Sequence, residues 1–315
     1  MREIAIFTGS ADPRLAQDIC AQLGVELQPS RLRRFANDCL EVQLQSNCRE
    51  RDVFVIQPLS APVQEHLVEL LLMLDAARGA SAARVTAVIP HYAYARSDKK
   101  TMPRVSIAGR LVADLLVTAG ASRILTMTLH APQVHGFFSV PVDHLHALRE
   151  IAAHFRSQDL AGTVVVSPDL GNARSASLLA RMLGLPVAAG AKERHSDDAV
   201  TISSIIGDVA GRDVIILDDE IARGTTVLEL LERLREHGAG EVRIACTHGL
   251  FREGALKRIA SHPEVTEIVT TNTVPIPETE RDSKLTVISI APPLAEAIRR
   301  IHVGESVSAL FDAAV

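Results

Sequence analysis

A chain of 315 residues is long enough for two ordinary domains. Its composition, 47% hydrophobic and 23% charged, is that of a soluble globular protein, and with 3% aromatics and no Trp its core must be aliphatic. The net charge of −5, from 33 basic and 38 acidic residues, carries no electrostatic footprint for nucleic acid.

The opening run at residues 4–7 reads as a strand. No long apolar core followed by a small-residue cleavage site marks a secretory leader there. The RLRR stretch at residues 31–34 reads as a solvated turn before a strand. Further short β-branched runs follow at residues 53–56, 85–89, 124–127, 164–166, 214–217, 242–246, 267–270 and 286–289. Between them lie amphipathic helical patterns at residues 64–77, 107–118, 173–183 and 226–236. The most apolar helical stretch contains Glu69 and Asp75 and is too polar to span a membrane. The alternation predicts α/β architecture, with parallel sheets covered by helices, built twice with a boundary at residues 142–149. Cys20, Cys39, Cys48 and Cys246 form no CxxC pair, which argues against a zinc site or a disulfide framework and fits a cytoplasmic setting.

The strongest chemical motif is VIILDDEIARGTTVLELLERL. A buried strand ends in Asp218 and Asp219; a short turn through Ala222, Arg223 and Gly224 then leads to Thr225 and Thr226 at the start of a helix. A helix start offers unbonded amides and a positive dipole end to an anion, while carboxylates ahead of it hold sugar hydroxyls or a divalent metal. The plainer alternative is that the two acids only cap the helix. In VVVSPDLGNAR a strand again ends in an acid, Asp169, either a ligand-facing carboxylate or a cap. His130 in ILTMTLHAPQVHGFF follows a strand in the same way and gains a function only beside a carboxylate such as Asp169, as a metal pair. Lys192 and Arg194, in KER, read as loop cations for transferring phosphates, or as solvated surface. Arg96, in YAYARSDKK, reads as a phosphate or base contact, or as part of a charged loop. No GxxxxGK[ST] phosphate loop and no protein-kinase signature is present.

Taken together, IPHYAYARSDKK, LHAPQVHGFFSVPVD, VVVSPDLG, IIGDVAGRDVIILDDEI, THGLF and LAEAIRRIHVGESVSALF resemble the ribose-phosphate diphosphokinase (phosphoribosyl-diphosphate synthase) family over nearly the whole chain. The resemblance implies two domains of type I phosphoribosyltransferase-like fold. The first comprises residues 1–146 with 295–315 on the ATP side, and the second residues 147–294 on the ribose 5-phosphate side. It implies transfer of the diphosphate of ATP to ribose 5-phosphate with Mg²⁺, in a homo-oligomer that is usually a hexamer built from dimers. By position, His130 and Asp169 would be metal ligands and Lys192 and Arg194 catalytic. Asp218, Asp219 and the turn from Ala222 to Thr226 would hold ribose 5-phosphate, and Phe35, Asn37, Cys39, Arg96 and Ser97 would meet ATP. Two departures stand out. The usual DDxxDTGGT reads DDEIARGTT, and the usual FSDGE reads FANDCLE. Two other functions share parts of the pattern: a non-catalytic partner of an active synthase, and a phosphoribosyltransferase.

Overall fold

A computed structural model describes residues 2–194 and 200–310, with the backbone alone at residues 192–194, 200, 201 and 203. Chain order begins β1 (Ile4–Thr8), α1 (Pro13–Leu23), β2 (Ser30–Arg34), β3 (Leu40–Leu44), β4 (Asp52–Ile56), α2 (Val63–Gly79), β5 (Arg84–Ile89), α3 (Ala108–Ala119), β6 (Arg123–Met127) and β7 (Val142–Leu145). It continues α4 (Leu148–Arg156), β8 (Val164–Ser167), α5 (Ala173–Leu183), β9 (Val187–Arg194), β10 (Val200–Ile206), β11 (Val214–Ile221), α6 (Thr225–Glu236), β12 (Val242–Gly249), α7 (Ala255–Ala260), β13 (Val265–Thr271), β14 (Leu285–Ile288) and α8 (Ala291–Val303).

The strands form two sheets. The first runs β1-β4-β5-β6-β7 and is parallel throughout; the second runs β10-β9-β8-β11-β12-β13-β14 and is parallel except for the β9–β10 pair. Central strands are buried on both faces, which is why β4 reads as an unbroken DVFVI run with every residue buried. Helix ends follow local chemistry. Asp12 caps α1 by accepting the Leu15 N–H at 3.1 Å, Pro13 occupies the first turn, and Gly24 ends the helix at φ 67°.

One apolar cluster fills the space between the sheets. Ile6, Phe54 and Leu125 of the first sheet and Val165, Ile215 and Val269 of the second belong to it, together with residues of α1, α4, α5 and α8. Two further clusters lie on the outer faces, under α2 and α3 on the first sheet and under α6 and α7 on the second. The last helix, α8, leaves the second sheet and packs on α1 of the first unit. Its Leu294 and Ile298 are fully buried, and burying such a side chain contributes roughly 1.5–3 kcal/mol. A polar lock adds direction: buried Asp52 accepts from Arg84 Nε at 3.1 Å and from His302 Nδ1 at 2.9 Å.

Several elements differ from the sequence reading. RLRR is strand β2, paired antiparallel with β3, because the alternating sequence of residues 40–44 supplies a hairpin partner. Lys192 and Arg194 stand on strand β9 rather than in a loop. The β-branched β10 pairs with their backbone, in the register Ile202↔Lys192 and Val200↔Arg194. Their side chains lie outside what the structure describes. The chain leaves β7, the last strand of the first sheet, at Leu145, within the range 142–149 read from the sequence as the boundary.

Truncating the α8 anchor, Ile298→Ala, is expected to lower unfolding free energy by roughly 2–5 kcal/mol through the cavity it leaves. Urea denaturation monitored by circular dichroism checks this, and a loss below about 1 kcal/mol would mean the helix is not held by that burial.

Candidate functional site

The carboxyl ends of the two parallel sheets face one another, and β11 is the element on which the site is built. Its first four residues, VIIL, are buried between β8 and β12; the strand then becomes polar as it leaves the core. Beyond Ile221 the chain turns sharply and Gly224 adopts φ 73°, ψ 8° at the head of α6. A side chain there would be strained by that conformation, and its Cβ would sit 3.0 Å from Ile259 Cδ1. No side chain caps α6 among the described residues, so its first amides remain open to an anion. The turn is braced from behind. Arg252 N–H donates to the Ala222 carbonyl at 2.9 Å, Arg258 Nη2 to the Arg223 carbonyl at 2.7 Å, and Arg223 Nε to Glu253 Oε1 at 3.0 Å. Thr225 is exposed at the first helical position, and Thr226 is half-buried beside it.

Ahead of the turn, the acids divide their roles by environment. His130, reached from β6, donates from Nδ1 to Asp219 Oδ2 at 2.6 Å. Burial pushes the Asp219 carboxyl up, but the bond and charge of His130 outweigh it and hold Asp219 below the usual carboxylate range. The same bond raises His130. Burial first, then the charges of Asp219 and Asp169, push Asp218 well above its ordinary value. The two adjacent carboxyls therefore titrate as a coupled pair. Asp169 lies after β8 and accepts the Asn172 N–H at 3.1 Å.

The neighbouring acid, Glu220, points the other way along the strand and reaches the first sheet too, receiving His91 Nε2 at 3.1 Å and Arg96 Nε at 3.0 Å. His248 on β12 donates from Nε2 to the Thr128 carbonyl at 2.8 Å and lies 2.9 Å from Thr273 Oγ1 through Nδ1. Thr128 itself is held at φ 43°, an uncommon conformation for a residue with a side chain. Its N–H donates to the Leu145 carbonyl at 2.8 Å, and the following amide, Leu129 N–H, donates to His144 Nε2 at 2.8 Å. A cavity of 1440 Å³ lies on the Glu220 side of the turn, lined by His91, Glu220, Arg223, Arg14 and Phe251 among others.

The structure therefore brings Asp218, Asp219, His130 and Arg96 to one cleft. His130 is bonded directly to Asp219. Among the described residues no group of three or more His, Cys, Asp or Glu side chains surrounds one metal position. Phe35, Asn37 and Cys39 form the tip of the β2–β3 hairpin, where contacts are local: Phe35 N–H to the Cys39 carbonyl at 2.9 Å, and the Arg33 guanidinium 4.9 Å from the Phe35 ring centre. Ser97 commits its hydroxyl to the start of α3, accepting the Ala108 N–H at 3.0 Å. Residues that the sequence reading passed over are Glu220, His91 and His248. The signal was present for two of them: Glu220 is the third acid in a row, and His91 follows β5 as His130 follows β6.

Comparison with known proteins gives a consistent result. The family described as the N-terminal domain of ribose phosphate pyrophosphokinase matches residues 4–120, and the phosphoribosyl synthetase-associated domain matches residues 198–312. A relative from Streptomyces coelicolor is 72% identical over 313 residues, covering 99% of each chain. Another, from Deinococcus radiodurans and named ribose-phosphate pyrophosphokinase, is 50% identical over 98% of each chain. The crystal structure of phosphoribosylpyrophosphate synthetase from Mycobacterium smegmatis superposes with a TM-score of 0.89 at 40% identity, covering 96% of this chain and all of that one.

The histidines of the cleft make a pH prediction. Burial lowers His144 to about 3 and His248 to about 4, so the unfolded chain binds more protons than the folded one below the ordinary histidine value of about 6.5. Each contributes stability that is complete above that value and is lost as pH falls towards the folded value. His130 runs oppositely, since its raised value favours the folded state at low pH. His144→Gln, which keeps an acceptor for Leu129, is expected to flatten the stability curve between pH 5.5 and 4 by ~1.4 kcal/mol per pH unit. Urea titrations at both pH values measure it, and parallel curves for the two proteins would refute the assignment.

Proposed function

The chain belongs to the ribose-phosphate pyrophosphokinase family, and from that premise we propose that it transfers the diphosphate of ATP to the 1-hydroxyl of ribose 5-phosphate, giving 5-phosphoribosyl 1-diphosphate and AMP for nucleotide biosynthesis. The observation that carries the reading is the junction of β11 with α6. Two carboxyls, one of them bonded to a histidine of the other sheet, are followed after a glycine-headed turn by open helical amides. Asp218 and Asp219 receive the ribose hydroxyls, and the turn from Ala222 through Arg223, Gly224 and Thr225 to Thr226 receives the 5-phosphate. Arg96 and Ser97, with Phe35, Asn37 and Cys39 of the hairpin, belong to the ATP side. Residues 1–146 with 295–315 form that side and residues 147–294 the ribose 5-phosphate side.

In the reaction the 1-hydroxyl oxygen bonds to the β-phosphorus, the bridge from the β-phosphorus to the α-phosphate oxygen breaks with its electron pair leaving on AMP, and the hydroxyl proton is released. Lys192 and Arg194 stabilise the charge that spreads over the transferring oxygens. Mg²⁺ fits the donor set. The charges of Asp219 and Asp169 bear on Asp218, whose carboxyl burial already pushes well above its ordinary value, and a divalent cation would offset that concentration of acids. Held by Asp169 and His130 with the nucleotide phosphates, the ion would supply Lewis-acid polarisation of the diphosphate. The protein functions as a cytoplasmic homo-oligomer, hexamer or dimer, with no nucleic-acid or membrane partner. In support, no helix among the described residues is long and apolar enough to cross a membrane, and Cys20, Cys39, Cys48 and Cys246 are free. Full-length likeness to relatives named pyrophosphokinases favours synthesis over a phosphoribosyltransferase or a non-catalytic partner.

Purified protein given ATP, Mg²⁺ and ribose 5-phosphate is expected to form AMP and 5-phosphoribosyl 1-diphosphate in equal amounts. Lys192→Ala is expected to lower kcat by roughly 10²-fold or more with a much smaller change in either KM. No AMP above that variant's level would overturn the activity, and an unchanged kcat would overturn the role of Lys192.

A further inference from the structure

Glu220 follows the two substrate-facing acids on β11, on the opposite face of the strand from Asp219, and is 8% exposed. Its two oxygens are both taken by the other sheet's unit, Oε1 by Arg96 Nε at 3.0 Å and Oε2 by His91 Nε2 at 3.1 Å. His91 is 3% exposed; its Nδ1 lies 3.2 Å from the Leu59 carbonyl, and its ring packs 4.8 Å from that of His248. Arg96, by contrast, is 51% exposed, and its ion pair with Glu220 runs through Nε. A long side chain that would otherwise sample many rotamers is thus tethered at its inner nitrogen, with the outer guanidinium edge presented to the cleft.

We propose that Glu220 is a positioning residue for ATP: it anchors Arg96 through Nε so that the outer edge of the guanidinium meets the nucleotide phosphates in a fixed direction. The assignment rests on the reading that Arg96 belongs to the ATP site. Its consequence is specific. A single strand of the ribose-binding unit both carries the acids for the sugar and orients the arginine for the nucleotide, so the two substrate sites share one rigid element. His91 completes the anchor by holding the second carboxylate oxygen, which prevents Glu220 from rotating away with Arg96 when an anion arrives.

Kinetics of Arg96→Ala, Glu220→Leu, Glu220→Gln and the double variant Arg96→Ala/Glu220→Leu test this. Glu220→Leu is expected to raise KM for ATP roughly tenfold, as loss of the ion pair that orients Arg96 would, with KM for ribose 5-phosphate changed less than about twofold. The double variant is expected to match Arg96→Ala alone within about twofold. Glu220→Gln keeps the volume and one acceptor, so it folds where the leucine variant does not, and it is expected to raise KM for ATP by about threefold. If Arg96→Ala leaves KM for ATP unchanged, the reading of Arg96 itself fails and the proposal falls with it. If Arg96→Ala raises KM for ATP while both Glu220 variants leave it unchanged, or if the two effects multiply in the double variant, Arg96 keeps its place and only the positioning role is overturned.

Discussion

The contact between Asp219 and His130 joins the ends of two sheets, and most of the cleft's chemistry follows from it. A carboxylate leaving a buried strand needs a cationic or strongly donating partner. His130 supplies that partner from the other unit. His130 holds Asp219 below the usual carboxylate range, while burial and the adjacent charge of Asp219 push Asp218 well above it. The same contact fixes how closely the two carboxyl ends approach.

Such a contact has directional value only on a stiff frame. The apolar cluster shared by both sheets provides it, since side chains of β1, β4 and β6 pack into the same core as those of β8, β11 and β13. The helix α8 closes this core by crossing back to α1, and Asp52 holds its end through His302. Close-packed interiors transmit displacement instead of absorbing it. Loosening α8 would therefore be felt at the cleft, though no residue of the helix takes part in its chemistry.

Much of this was legible in the sequence because the signals were local. Buried parallel strands are continuous apolar runs, and each of the nine runs read as strands lies on a strand of the structure. Acids at a strand end followed by a glycine and a helix are likewise a local pattern, and Asp218, Asp219 and Gly224 could be picked out from it. What escaped were elements whose stability is supplied by a partner. Strand β9, with its run of small residues followed by KER, becomes a strand through pairing with β10, and β2 through pairing with β3. Glu220 and His91 are 129 positions apart in the chain, so no spacing rule could join them. His130 was singled out, but its direct bond to Asp219 was not, since nothing in the sequence says which of several strand-end acids lies across the cleft.

The altered turn is where structure sharpens the sequence most. Losing a glycine at position 225 raises the question whether a side chain can be tolerated beside a bound phosphate. The backbone answers it. The left-handed conformation falls on Gly224, while Thr225 is already helical and pays no strain for its side chain. Its hydroxyl stands at the exposed head of α6, among the amides an anion would meet, so the threonine adds a donor where the glycine had none. Arg223 is likewise not loose in solvent: it is braced against Glu253, and its carbonyl is gripped by Arg258. An exposed ion pair of this kind is weak, worth at most about 1 kcal/mol, so a dianionic phosphate can compete for the guanidinium. The substitutions change which groups surround the anion while leaving the backbone cradle, set by Gly224 and the helix start, in its working shape.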